Sequence, residues 1–232
     1  MFKFFINPAK FIQLAENINK FLIFFSIISL LLGITIVFLF SPNDYQQNSA
    51  VKIMYVHVPS AWISLMIFFI MTIYSFIALI FKIPFGFIIN KSIAPIGAIF
   101  TLICLISGSL WGKPMWGTWW VWDARLTSVL ILFITYLIII FVRPSFTNVD
   151  VGEKITAIFV IISSINLPII KFSVDWWNTL HQPASISKLS SPSIHISMLI
   201  PLFVMLIAFI SISLLIAILR IRVEIIERKL QI

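Results

Sequence analysis

Five of the eight tryptophans fall within twelve residues, from Trp111 to Trp122, and Asp123 and Arg125 follow at once. A cluster this dense, broken by Gly112, Pro114 and Gly117, is costly to keep unless something large and flat packs on it. The three histidines, His57, His181 and His195, are the residues that could bind a metal. Zinc takes three or four N, S or O ligands held close together. The His-x-x-x-His spacing of a helical zinc site is missing, and tryptophans have no part in holding a bare ion. Two separated histidines beside a broad aromatic surface fit haem better. Haem needs one or two axial ligands, commonly histidine, and apolar contact for its macrocycle. The histidines are the candidate ligands of the iron, and the clustered Trp111, Trp116, Trp119, Trp120 and Trp122 the candidate ring contacts. The propionates need cationic or hydrogen-bonding partners, for which Arg125 is the first candidate and Lys113 the second.

Each of these residues also has a plainer reading. His57 at a membrane rim can serve as an interfacial hydrogen-bonding group. Arg125 can pair with Asp123. Asp123 can cap the helix that follows, where free N–H groups and the helix dipole favour an anion. His195 follows Ser-Pro-Ser, a helix-start signal, and can act as a cap residue rather than line the site.

The elements that position these residues are membrane helices. Apolar residues make up 61% of the 232 and charged residues 10%, against about 25% charged in soluble domains. The mean hydropathy is +1.11. The one cysteine, Cys104, lies inside an apolar run and excludes an internal disulfide. Six apolar runs, about 21–40, 53–81, 92–111, 126–142, 155–171 and 195–219, are long enough or nearly so to cross a hydrocarbon core of about 30 Å. The expected fold is an all-α, polytopic bundle of six transmembrane helices with a tryptophan-rich outer loop over 111–125. Residues 1–20 form an N-terminal segment, in which Phe11, Leu14, Ile18 and Phe21 share one face and suit an interfacial helix. Residues 21–219 form the membrane domain and 220–232 a basic tail. Pro59 suits the first turn of the second helix, and Pro114 discourages a helix through the outer loop. Pro95, Pro168 and Pro201 are candidate kinks, and Gly97 and Gly108 allow close helix contact.

Orientation follows from basic residues. Eleven of the sixteen Lys and Arg fall on the side of the two termini, and five, Lys52, Lys113, Arg125, Lys171 and Lys188, on the other. The positive-inside rule puts both termini in the cytoplasm. All three histidines and all eight tryptophans then share the outer side, the periplasm in a bacterial inner membrane. Aromatic belts normally occupy both interfaces, so anchoring alone leaves this bias unexplained. The net charge of +8 sits in short inter-helix segments and points to orientation rather than nucleic acid. The spans carry almost no ionisable groups, which argues against an autonomous secondary transporter. The absence of a G-K-S/T phosphate loop excludes an ATPase of that class.

Three segments carry a family resemblance. KPMWGTWWVWDARLTS at 113–128 resembles the tryptophan-rich "WWD" signature of the haem-handling proteins of cytochrome c maturation. It is most similar to the six-helix haem exporter protein C (CcmC) family, and IMYVHVPSAW at 53–62 and VDWWNTLHQ at 174–182 resemble the same family. The likeness runs from about residue 20 to 219. It implies that His57 and His181 are the outer-face histidines needed for haem b. It implies too that the 116–123 cluster, with Asp123 and Arg125 beside it, helps present haem to a periplasmic haem chaperone. The family's partners are that chaperone, a small one-helix membrane protein, and the ATPase and permease subunits of an ABC transporter. A role in covalent attachment of haem to the chaperone is implied without a classical catalytic residue. Two positions depart from the pattern: Pro183 stands where glycine is expected, and His195 lies outside the motif. The alternatives are a membrane subunit of an ABC-type haem permease and a haem-containing electron-transfer subunit.

Overall fold

The computed structural model describes residues 8–182, 186 and 193–230. Pro183 and Lys188 lie outside these residues. The described residues form seven α-helices: α1 Pro8–Leu39, α2 Met54–Ile80, α3 Phe85–Trp116, α4 Ala124–Val142, α5 Val149–Ser163, α6 Asn166–Trp176 and α7 Ile196–Leu230. They provide six segments long and apolar enough to cross a membrane, because α5 and α6 together make one. Large side chains such as Phe24, Phe38 and Phe141 stay exposed on the bundle's outside. Water would make such a surface an aggregation liability, whereas hydrocarbon solvates it. The chain is a multi-pass membrane protein of the all-α class.

The helix bounds differ from the sequence expectation where proline was weighed too heavily. α3 runs through Pro114 to Trp116 instead of ending near 111. Pro114 falls in the last turn, where few further bonds depend on it, and Gly117 then ends the helix with φ 75°. The tryptophan-rich loop therefore shrinks to residues 117–123. Pro59 is the sixth residue of α2, beyond its first turn, since a 3-10 turn over Ser49–Ile53 and then Met54 begin the helix upstream. Pro168 does sit in a first turn, that of α6. The chain breaks just before it at Ser164 and Ile165, where a proline nitrogen has no hydrogen for the carbonyl of Ser164. Pro95 and Pro201 lie inside α3 and α7.

Residues 8–20 are helical and run into the first span without interruption. Its buried stripe is Phe11, Ala15, Asn19 and Leu22, while Phe21 is exposed. The chain after residue 219 likewise continues as helix to Leu230.

α2 packs most extensively on α3, and α1 on α7. The core lies where α2, α3 and α4 meet, around Phe68, Met71, Leu132 and Tyr136. Tyr136 lies over Gly97 so closely that a β-carbon there would come within 2.2 Å of its ring. Its hydroxyl donates to the Ser64 carbonyl at 2.7 Å. This contact fixes the splay of α4 against α2 and α3, and with it the start of α4 at the other end.

Helix alternation brings residues 40–53, 117–123, 177–182 and 193–195 to one end of the bundle. The opposite end is tied by Phe11 against Phe85 and by ion pairs from Glu16 to Arg222 and from Glu224 to Lys91. The site end has its own apolar cluster, with Val37, Val51, Met54, Tyr55, Leu202 and Met205 buried and Trp62 and Trp111 packed against them.

Candidate haem site at the tryptophan end

His57 is the fourth residue of α2 and faces α3. Its Nδ1 lies 3.0 Å from the Cys104 carbonyl oxygen and 3.1 Å from Ser107 Oγ. A carbonyl only accepts, so Nδ1 carries the hydrogen and Nε2 keeps its lone pair. Fixing one ring nitrogen in this way orients the other for a metal. The ring fits because residue 108 is glycine: a β-carbon there would stand 3.0 Å from His57 Cε1. Trp111 closes the pocket edge-on, with ring centres 5.7 Å apart, and its Nε1 donates to Gln47 Oε1 at 2.9 Å. Cys104, Ser107, Gly108 and Trp111 follow i, i+3, i+4, i+7 spacing and form one stripe of α3.

His181 comes from the connection after α6 and meets His57, with ring centres 6.5 Å apart and planes inclined by 36°. Its backbone N–H donates to Thr179 Oγ1 at 2.9 Å, and its Nδ1 lies 2.9 Å from the Gln182 carbonyl. The same reasoning leaves its Nε2 as the unprotonated nitrogen. Burial, and after it the nearby Arg125 guanidinium, hold the His181 pKa below its usual 6.5. Both neutral imidazoles thus keep an unprotonated Nε2.

Arg125 lies in the first turn of α4 and reaches across to α6, where Nη1 donates to the Ile170 carbonyl at 2.8 Å. It forms no salt bridge with Asp123, so that expected pairing is replaced by the bond to α6. Asp123 caps α4 instead: its Oδ1 accepts from Leu126 N at 2.7 Å in extended backbone geometry. Asp123 Oδ2 and Trp120 Nε1 are both buried without a hydrogen-bond partner. A buried acceptor and a buried donor left unmet are costly, and such atoms are kept where something else completes them.

The aromatic residues divide into packed and presented groups. Trp116 lies over Gly112, where a β-carbon would meet its ring at 2.9 Å. Trp120 meets Trp122 edge-on at 5.5 Å. Trp119 is 55% exposed and Trp122 75%. The Lys113 ammonium lies 5.8 Å from the Trp119 ring centre, and its Nζ donates to the Gly117 carbonyl at 3.0 Å, bracing the turn. Trp176 stacks on Phe172 at 5.3 Å, and Trp177 meets Trp176 at 5.7 Å.

A profile of the CcmC family, described as Heme exporter protein C, matches residues 1–232. The chain belongs to the heme exporter protein C family. It is 44% identical over 225 residues to the Heme exporter protein C of Bradyrhizobium diazoefficiens, covering 97% of this chain and 85% of that one. It is 42% identical over 221 residues to the Heme exporter protein C of Haemophilus influenzae, covering 95% and 90%. A Marchantia polymorpha protein, named as a ccmC-like mitochondrial protein of cytochrome c biosynthesis, is 53% identical over 169 residues, covering 73% and 71%.

In this member of the heme exporter protein C family, His195 is a helix cap. Its carbonyl accepts from Met198 and Leu199 N, and its Nδ1 lies 2.8 Å from Ser197 Oγ. Among the described residues, no three His, Cys, Asp or Glu side chains gather into a metal-binding group. Cys104, Ser107 and Gly108 join the site beside Trp111, although the sequence alone does not single them out for it. Their signal is a helical stripe of small and polar residues inside an apolar run, but nothing in the sequence pairs that stripe with His57, 47 residues earlier.

Proposed function

We propose that this chain holds haem b at the tryptophan end of the bundle, with His57 and His181 as the iron ligands, and passes it to a periplasmic haem chaperone in cytochrome c maturation. Membership of the heme exporter protein C family supports haem handling, since its relatives are named for heme export and for cytochrome c biosynthesis. The observation that carries the reading is the meeting of two imidazoles from distant segments, each with Nδ1 engaged. With ring centres 6.5 Å apart, His57 and His181 are the residues that would hold the iron, each through its unprotonated Nε2.

The roles of the residues follow from their surroundings. The Cys104 carbonyl and Ser107 hold the His57 ring in its tautomer. Burial, and after it the Arg125 charge, favour the neutral form of His181, and Arg125 offers its remaining N–H donors to a propionate. Trp120 and Asp123 bring unmet polar atoms to the edge of the site. Trp119 and Trp122 offer exposed indole faces for the macrocycle and for a docking chaperone. Bound haem supplies the reactive vinyl edge, while the chain orients it and keeps water away. The distribution of Lys and Arg supports cytoplasmic termini and a site on the outer side, which in a bacterial inner membrane is the periplasm. The one-helix protein and the ABC subunits are the partners of the same assembly.

Visible spectra of purified wild type, H57A and H181A, each titrated with haem, test the proposal. Wild type is expected to give a saturable Soret band at one haem per chain, and each variant a shifted or lost band. Three identical spectra would contradict it.

A further inference from the structure

The opposite end of the bundle carries a second site that haem handling leaves unused. A cavity of about 170 Å³ opens there between α3, α4, α5 and α7. Phe87, Ile139 and Ile140 give it apolar walls, and Asn90, Arg143 and Arg220 bring polar groups to it. The surrounding ion network explains part of this chemistry. Glu153 is buried between Arg143, at 2.5 Å, and Arg228. Glu224 is buried between Lys91 and Arg228, the latter at 2.8 Å. Two buried carboxylates held by three basic side chains form a satisfied structural cluster.

Arg220 stands outside that balance. Its Nε donates to the Ser92 carbonyl at 2.8 Å, and among the described residues no carboxylate forms a salt bridge with it. Counting it, four basic groups face two acids, a net charge of about +2. Asn90 adds a second, independent observation. Its Nδ2 donates to Ser75 Oγ at 2.7 Å, while its Oδ1 is buried with no partner. Ser75 can donate or accept, so the amide can present either terminus to a ligand. A cavity with hydrocarbon walls, surplus positive charge, a guanidinium fork and an unmet amide fits an amphiphile with an anionic head.

We propose that this cavity binds the phosphodiester headgroup of an anionic phospholipid, with Arg220 as its principal contact and Asn90 completing the hydrogen bonds. Guanidinium pairs bidentately with phosphate oxygens, and basic pockets between membrane helices take anionic headgroups. The walls at Phe87, Ile139 and Ile140 receive the glycerol and first methylenes. A bound headgroup would clamp α7 to α3 and α4 at the end farthest from the histidines.

Native mass spectrometry of the detergent-purified full chain, titrated with phosphatidylglycerol or phosphatidylcholine, tests this proposal. Wild type is expected to prefer phosphatidylglycerol and to keep it in millimolar inorganic phosphate. Arg220→Gln should weaken that binding about fivefold, and Arg220→Lys much less. If Arg220→Gln melts well below wild type without lipid, Ile140→Trp serves instead, since it adds bulk to the cavity wall while keeping every charged residue, and should abolish the preference. Equal binding of both lipids by wild type, displacement by inorganic phosphate alone, or undiminished phosphatidylglycerol binding in a folded variant would each overturn it.

Discussion

His57 is held by what α3 lacks at residue 108 as much as by what it offers at 104 and 107. Gly108→Val puts branched carbon where the imidazole edge now lies, 3.0 Å from the nearest added atom even for a single methyl. Haem affinity should fall at least tenfold, with the helical far-ultraviolet signal unchanged; unaltered affinity would show that His57 takes no part. His181 makes a pH prediction. Its pKa lies below 6.5, so its lone pair survives to lower pH than that of a free imidazole. Haem binding should therefore persist through pH 6.5 and fail only at more acidic values, as a pH series of Soret titrations would record. The linked stability has the matching sign. The unfolded chain takes up the proton first, so stability falls as pH drops through 6.5 and keeps falling to the folded pKa. At this scale the sequence marks the residues that gather at one end, since rare types stand out in an apolar chain. It was silent on tautomer and on the Arg125 bond to Ile170, which depend on helices meeting at close range.

Among the elements, α4 matters most to the site, because its first turn carries Arg125 and its cap is Asp123. Asp123→Ala should lower stability by about 1 kcal/mol through loss of the cap, measured by thermal melting in detergent. Asp123→Asn keeps a capping oxygen and should melt like wild type. If it also binds haem like wild type, Asp123 serves the helix alone; weakened binding would assign Oδ2 a share in the site. The six spans were legible because apolar runs of this length have few other uses. Their ends were less legible, and Pro114 shows why. A proline near a helix terminus forfeits little, so its residue type alone cannot say whether the helix stops before it or after it. The break at Ser164 and Ile165 was marked by Pro168 and by paired serines, yet its depth depends on α6 packing against α4.

Taken whole, the molecule is a bundle with two chemically distinct ends, one rich in indole and imidazole, the other in buried ion pairs. That polarity was readable in the counting of charges and tryptophans along the chain, since helices of similar length return each connection to a predictable side. What the counting could not supply is convergence, the fact that segments 124 residues apart in sequence bring two imidazoles to 6.5 Å. The most direct test of the account is low-temperature electron paramagnetic resonance of the purified chain loaded with ferric haem, without a chaperone present. A low-spin signal of two imidazole ligands, turning high-spin in both His57→Ala and His181→Ala, is the predicted result. A high-spin signal in wild type that neither substitution alters would contradict it.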